Sequence, residues 1–490
     1  MCEVVFILKA RGTWPICYTA APDHPTCNGY NVSNLSFSTL ALPAAQLSNL
    51  GSLGYLEMTA IQAEALPPAL AGRDLIAQAK TGSGKTAAFG LPLLNKLNPR
   101  DFGTQALILC PTRELAAQVA VEIRRLARYQ QNIKVVTLCG GQSIGPQIGS
   151  LAHGAHIVVG TPGRIVDHLR KKTLSIGRVS TLVLDEADRM LEMGFIDDLG
   201  AIIDKTPKSR QTLLFSATYP DDIQSLSGRF QQLPQRVSVE SLHSEQQIDQ
   251  QFYICQKNER RDSLVKLLAH FRPTAAVVFC NTKQMVRDVC EHLNLAGIHA
   301  RALHGDMEQR DRDQVLIQFK QLSCSILVAT DVAARGLDID DLPVVVNFEL
   351  PRNAEVYVHR IGRTGRAGKA GLALSLFADS ERYKLQSIGD YLQRELEFEV
   401  IEAVTARDEV MPLPAFVTLC ISGGRKDKVR PGDILGALTG DAGIDGSAVG
   451  KITVMDYAAY VAIERGVEDE ALGRLRGGKI KGRKFKVRKL

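Results

Sequence analysis

The chain has 490 residues, 45% of them hydrophobic and 23% charged, a balance of ordinary globular domains that excludes bulk disorder and a membrane protein. That length suggests about three domains, and no apolar run approaches the roughly 18 residues a spanning helix needs. The net charge of +6 is concentrated: 15 basic and 9 acidic residues follow from Gly423, 44 of each precede it, and Gly473–Leu490 has nine basic residues and no acidic one. Such an asymmetry points to a polyanion partner, with a merely solubilising basic surface as the other reading.

In chain order, the first 33 residues hold Cys2, Cys17, Cys27 and the sole tryptophan, Trp14, without a sustained helical or strand period. Their apolar patch VVFIL is shorter than the roughly 7–15 residues of a signal-peptide core, so residues 1–34 stand as an unassigned N-terminal extension. The ten cysteines are scattered, with no CxxC pair and no His cluster at metal spacing. Cys110 and Cys280 end apolar runs, as reduced core thiols do. A reducing, cytoplasmic location and no zinc site are expected.

Residues 35–240 alternate Val/Ile/Leu-rich runs with amphipathic stretches. QALILC, HIVVG, TLVLD and TLLFSAT read as buried parallel strands, and ELAAQVAVEIRRLARY puts Leu115, Val119, Ile123 and Leu126 on one helical face. This βαβ periodicity predicts an α/β domain with a parallel sheet. The polar stretch Ser238–Gln250 reads as a linker. The alternation resumes over residues 248–400 with AVVFC, a helix near Lys283–Leu295, SILVAT and VVVNF, predicting a second α/β domain. After the break MPLPA, residues 412–490 follow a β-α-β-β-α-β order, that of a small α+β domain.

The strongest local signal is Ala79-Lys-Thr-Gly-Ser-Gly-Lys-Thr86, between the apolar run DLIAQA and a helical stretch. Small residues such as Gly82, Ser83 and Gly84 let backbone N–H groups wrap phosphates, Lys85 reaches the β- and γ-phosphates, and the Thr86 hydroxyl can ligate Mg²⁺. The first position is Ala rather than Gly, a variant of the phosphate loop. Asp185-Glu-Ala-Asp188 ends the strand TLVLD, where Asp185 can hold Mg²⁺ and Glu186 can orient or deprotonate a water. The two motifs together indicate nucleoside triphosphate hydrolysis. His359-Arg-Ile-Gly-Arg-Thr-Gly-Arg366 spaces Arg363 and Arg366 as a pair of arginine fingers, although alone it also suits a solvated basic loop or a phosphate-backbone binder.

With these motifs in this order, the chain resembles the DEAD-box ATP-dependent RNA helicases from Phe37 to about Phe377. Phe37 and Gly54–Gln62 match the adenine-reading segment, with Met58 standing where the family has Pro. Pro111–Ala116, Gly140-Gly141, Thr161–Arg164, Ser216–Thr218, Gln309 with Arg312, and Ala329–Asp338 match further motifs. The resemblance implies two tandem RecA-like domains with ATP and Mg²⁺ between them. It assigns Phe37, Gln62 and Asp338 to the nucleotide, and Lys85, Glu186, Arg363 and Arg366 to catalysis. Ser216, Thr218 and His359 would couple the ATP and RNA sites. Thr112, Arg113, Gly141, Thr161, Arg164, Arg312 and Thr330 would grip one strand by its sugar–phosphate backbone, a sequence-blind contact in which 2′-hydroxyls favour RNA. Closure of the two domains would bend that strand and displace its partner locally.

The C-terminal segment from Gly423 resembles the RNA-binding domain of the DbpA type, an RRM-like module. That resemblance implies 23S ribosomal RNA and large-subunit assembly intermediates as partners, for a monomer that does not engage membranes. Tyr460 fills one aromatic position of the RRM signature but Ala458 fills another, so basic loops around Arg425, Lys426 and Lys428 are expected to contribute more than base stacking on the sheet. An ATP-gated RNA clamp that binds without unwinding is the alternative activity. The resemblance starts at about Val32, and no function is expected of the residues before it.

Overall fold

The computed structural model describes residues 35–79, 82–218, 221–239, 248–334, 341–365, 370–405, 411–440 and 443–490. The extension before Leu35 lies outside them, as do Asp338 and Arg366.

The first sheet contains β1 (Leu75–Gln78), β2 (Ala106–Leu109), β3 (Val135–Leu138), β4 (Ile157–Gly160), β5 (Thr181–Asp185), β6 (Gln211–Ser216) and β7 (Gln235–Ser238), in the order β3-β4-β2-β5-β6-β1-β7. All its pairings are parallel. Strands β2, β4, β5 and β6 are buried along their whole length, which is why they read as unbroken apolar runs rather than alternating ones. The helix Arg113–Leu126 covers one face and buries Leu115, Val119, Ile123 and Leu126.

The second sheet is built the same way from β8 (Ile248–Ile254), β9 (Ala276–Cys280), β10 (Ala300–Leu303), β11 (Ile326–Thr330), β12 (Val344–Asn347), β13 (Gly371–Phe377) and β14 (Glu399–Val400). Its order is β10-β11-β9-β12-β13-β8-β14, again parallel. Ile248, Asp249 and Gln250, read from polarity as linker, begin β8 and pair with Gly371, Leu372 and Ala373. Met411, within the expected break, packs in this domain's core with Ile401 and Val404.

The third unit has β15 (Phe416–Ile421), β16 (Val449–Val454), β17 (Ala459–Glu464) and β18 (Val487–Lys489), with helices Pro431–Thr439 and Glu468–Gly477. The antiparallel order β16-β17-β15-β18 realises the β-α-β-β-α-β pattern. One sheet face, through Leu419, Ile421, Val461 and Ile463, packs on the two helices. The opposite face does not meet solvent: Cys420 and Tyr460 pack against Ile317 of the helix Gln309–Lys320 in the second domain. Polar bonds reinforce that seam, with Gln321 Nε2 donating to the Lys451 carbonyl at 2.9 Å and Thr418 Oγ1 donating to Gln321 Oε1 at 2.8 Å. Tyr460 is 3% exposed, so the ring in the RRM-type position cannot stack on a base while the domain is docked.

The seven described cysteines are all free thiols, and no helix among the described residues is long and apolar enough to cross a membrane.

Candidate active site

Gly82–Gly84 joins β1 to the helix Lys85–Lys96, so the unpaired N–H groups of that helix's first turn open onto the loop, as phosphate binding requires. Gly84 has φ +92°, and a Cβ there would lie 2.4 Å from Gln62 Nε2; only glycine fits. Lys85 Nζ donates to the Ala79 carbonyl at 3.0 Å, folding the lysine back across the loop. Gln62 is buried, with Oε1 accepting from Thr59 N–H at 2.9 Å and Nε2 donating to the Gly84 carbonyl at 3.1 Å. Each end of that amide keeps capacity for one further bond. Phe37 is buried edge-on against Tyr55, with ring centroids 6.1 Å apart. Met58 lies in the same core, and its N–H donates to the Leu35 carbonyl at 2.6 Å, a bond proline could not make.

Asp185 closes β5 beside the loop. Burial pushes its carboxyl up to about 6, against the opposing pull of Lys85, and its Oδ1 is buried without a hydrogen-bond partner. Glu186 adopts a left-handed backbone (φ 55°, ψ 53°) and its Oε2 meets Arg189 NH1 at 2.8 Å. Asp188 turns the other way: its Oδ2 accepts from Ala217 N–H, Thr218 N–H and Thr218 Oγ1 at 3.0–3.1 Å, while Ser216 Oγ accepts from its own N–H at 3.2 Å. Burial raises the Asp188 carboxyl, but the Thr218 amide, Arg189, Lys85 and His359 together hold it below the ordinary range. Ser216 and Thr218, at the end of β6, are thus bonded directly to the acidic motif.

Lys85, Asp185, Glu186, Asp188 and Arg189 are each at most 6% exposed. The orphaned Asp185 oxygen and the Thr86 hydroxyl suit Mg²⁺, which usually takes one or two protein ligands and completes its shell with phosphates and water.

The second domain brings arginines. The helix Ala354–Ile361 carries His359 and Arg360 and ends just before Arg363. His359 and Arg363 line a small cleft with Arg189 of the first domain and with Asp331. Arg360 is a structural pin: its guanidinium takes Asp331 bidentately at 2.6 and 2.8 Å and bonds the Asn347 and Asn281 side chains and the Glu349 carbonyl. Nothing in the sequence separates this arginine from its motif neighbours.

A cleft of about 590 Å³ between the two domains is lined by Thr112, Arg113, Thr161, Arg164 and Arg312, five of the expected backbone-gripping residues. Gly141 (φ +70°) borders it, and a Cβ there would collide with the Arg113 guanidinium at 1.6 Å. Thr330 does not line it; its Oγ1 accepts from Ala333 N–H at 3.4 Å, capping the helix Asp331–Ala334. Three bonds across the cleft escaped the sequence reading, one of them from Gln309 Nε2 to Glu114 Oε1 at 3.4 Å. Arg113 NH1 donates to Gln309 Oε1 at 2.9 Å, and Arg312 NH2 meets Glu114 Oε1 at 2.7 Å. Arg164 NH1 and Arg312 Nε are buried here without hydrogen-bond partners, donors positioned for an anionic backbone, while Arg164 Nε lies 3.7 Å from Asp167 Oδ2. In the third unit Arg425, Lys426 and Lys428 are all exposed.

Residues 59–226 match the DEAD/DEAH box helicase family, residues 259–368 the helicase conserved C-terminal domain, and residues 418–489 the DbpA RNA binding domain. The chain is 54% identical over 457 residues to the ATP-dependent RNA helicase DbpA of Escherichia coli K12, covering 93% of this chain and 99% of that protein. It is 39% identical to the DbpA of Bacillus subtilis, covering 90% and 97%. Among solved structures, Saccharomyces cerevisiae Dbp5 bound to RNA and ADP BeF3 aligns with a TM-score of 0.69 and 29% identity, over 75% of this chain and 96% of that one.

Proposed function

The chain belongs to the DEAD-box ATP-dependent RNA helicases and carries a DbpA-type RNA-binding domain; from that premise we propose that this RNA-dependent ATPase works in the cytoplasm on 23S ribosomal RNA, separating short duplexes during large-subunit assembly. What carries the reading is the DbpA RNA binding domain over residues 418–489, coinciding with the segment that holds the whole excess of positive charge.

In the mechanism proposed, the loop Gly82–Gly84 and Lys85 hold the triphosphate, and Phe37, Gln62 and Asp338 hold the nucleoside. Thr86 and Asp185 hold Mg²⁺, which neutralises charge on the phosphates when bound. Glu186 orients the attacking water and accepts its proton, a role for which Arg189 fixes the carboxylate. Arg363 and Arg366 complete the site only when the domains meet, stabilising charge on the transferring phosphoryl group. Thr112, Arg113, Gly141, Thr161, Arg164, Arg312 and Thr330 contribute to one continuous grip on a single strand. Ser216 and Thr218, bonded to Asp188, relay the state of the acidic motif, with His359 reading it from the other domain. Arg425, Lys426 and Lys428 bring the enzyme to its RNA.

The test is ATPase activity of the full chain with purified 23S ribosomal RNA against unrelated RNA of equal length. Half-maximal stimulation at a much lower concentration of 23S RNA is expected; equal stimulation by both overturns the target. Multiple-turnover displacement of a short RNA duplex is expected alongside it.

A further inference from the structure

With Tyr460 covered, the RNA-binding domain keeps one exposed aromatic ring among its described residues, Tyr457, at 74% exposure. It sits in the turn between β16 and β17, closed by Met455 N–H donating to the Ala458 carbonyl at 2.8 Å. This turn is zipped to the loop after β15: Arg425 N–H donates to the Met455 carbonyl at 2.8 Å, Lys426 N–H to the Asp456 carbonyl at 2.9 Å, and Arg425 Nε to the Val454 carbonyl at 3.1 Å. Lys481 Nζ ties in the far side through the Lys428 carbonyl at 3.1 Å. The ring therefore projects from a braced platform rather than a loose tip.

Around it stand Arg425, Lys426, Lys428 and Lys481, all exposed. The acidic neighbours are Asp456, 3.9 Å from Arg425, and Asp427, whose carboxylate accepts the Gly424 N–H at 3.0 Å. The balance is positive, and an exposed ring amid cations is the chemistry of single-stranded nucleic-acid contacts. The platform also faces the helicase core. Burial first, and then the charge of Arg425, hold the Arg124 guanidinium below its ordinary value; Arg124 lies in the last turn of the first domain's helix Arg113–Leu126.

We propose that Tyr457 stacks on an unpaired base of the target RNA while Arg425, Lys426, Lys428 and Lys481 hold the flanking phosphates. The proposal deepens the reading of this domain as the targeting module and rests on it. It replaces the sheet as the stacking surface with a two-loop platform.

The experiment measures RNA-stimulated ATPase of the full chain and its Tyr457→Ala, Tyr457→Phe and Lys426→Ala variants on purified 23S ribosomal RNA and on poly(A), over a salt series. For Tyr457→Ala the RNA concentration for half-stimulation should rise about 5- to 100-fold, the range for one lost stacked base. Its maximal rate and salt slope should stay at the parent values, and Tyr457→Phe should resemble the parent. Lys426→Ala should instead lower the log-log salt slope by about 0.7. An unchanged half-stimulation in Tyr457→Ala, with the parent still preferring 23S RNA, overturns the stacking role alone. A parent without that preference overturns the target, and the same variant on poly(A) then decides the stacking.

Discussion

The two helicase domains are the same sheet twice. Renumbered from their first strands, both have the order 3-4-2-5-6-1-7, and the likeness extends past the strands. β2 and β9 are each followed by a cysteine or end in one, and then a threonine caps the next helix: Thr112 accepts from Leu115 N–H at 3.3 Å and Thr282 from Met285 N–H at 3.2 Å. What differs is the charge placed on this common rim. After β1 comes the phosphate loop, but after β8 comes Cys255-Gln256-Lys257; β5 ends in Asp185, whereas β12 ends in Asn347, whose amide serves the buried Arg360. One domain thus offers a phosphate loop and carboxylates, the other arginines. In the proposed mechanism neither rim alone both binds a triphosphate and stabilises charge leaving it, so a duplicated scaffold with divided chemistry would make activity depend on the domains meeting.

The sharpest way to break that division is to remove the arginine side. Arg363→Ala should slow ATP hydrolysis by about 10³- to 10⁵-fold with RNA binding retained, measured by single-turnover hydrolysis and RNA retention; near-normal hydrolysis would take the role from Arg363. On the acidic side, Glu186→Gln should cost about 10²- to 10⁴-fold, the range for a lost general base, while ATP-dependent RNA binding persists. Asp185→Asn separates activity from stability. Because the native carboxyl is held up to about 6, above its unfolded value, its ionisation destabilises the fold above pH 6, and that cost disappears as pH falls through the unfolded value. The variant should therefore lose ATPase yet unfold at higher temperature at pH 8, by up to about 3 kcal/mol, with the gap closing toward pH 4.

Residues that act through the chain's own backbone pattern were legible in advance. Apolar runs gave the parallel strands, and Lys85 and Asp185 stood out as candidates by spacing within short motifs, whereas the motif of Arg363 alone also suited a solvated basic loop. The bridges between domains were not. Glu114 looks like an ordinary acidic residue in a helix's first turn, and only the closed arrangement reveals Arg312 beside it. Arg360 and Arg363 share one motif, but burial makes the first a pin. The docked sheet did leave a signal that went unused: FVTLCI and AYVAIE are almost continuously apolar, as strands covered on both faces are, whereas a sheet with one face in water alternates. An RRM-type sheet free to stack bases would not bury Thr418, Cys420 and Tyr460 together.

Smaller effects probe how the third unit and the clefts share one helix. Gln309–Lys320 starts in the strand cleft, where Gln309 and Arg312 reach the first domain, and ends at Gln321, which holds the RNA-binding domain. Glu114→Gln weakens the bond to Arg312 at a partly shielded site, so half-stimulation by RNA should shift about 10- to 30-fold, near the lower end of what losing one partner of a buried pair costs.

Gln321→Ala acts at the other end and should do less. It removes an acceptor from Thr418 and a donor from the Lys451 and Tyr460 carbonyls, but Ile317, Cys420 and Tyr460 remain packed and Ser323 Oγ still meets Thr418 Oγ1 at 2.6 Å. A net loss of about 1 kcal/mol is expected, enough to raise the undocked fraction about fivefold. Faster hydrogen exchange should appear in both Gln309–Lys320 and Phe416–Ile421, with the proposed preference for 23S RNA intact because Arg425, Lys426 and Tyr457 are exposed and none of their side chains bonds to Gln321. If exchange quickens in Phe416–Ile421 alone, the substitution has loosened the small domain itself and the seam is not what holds it.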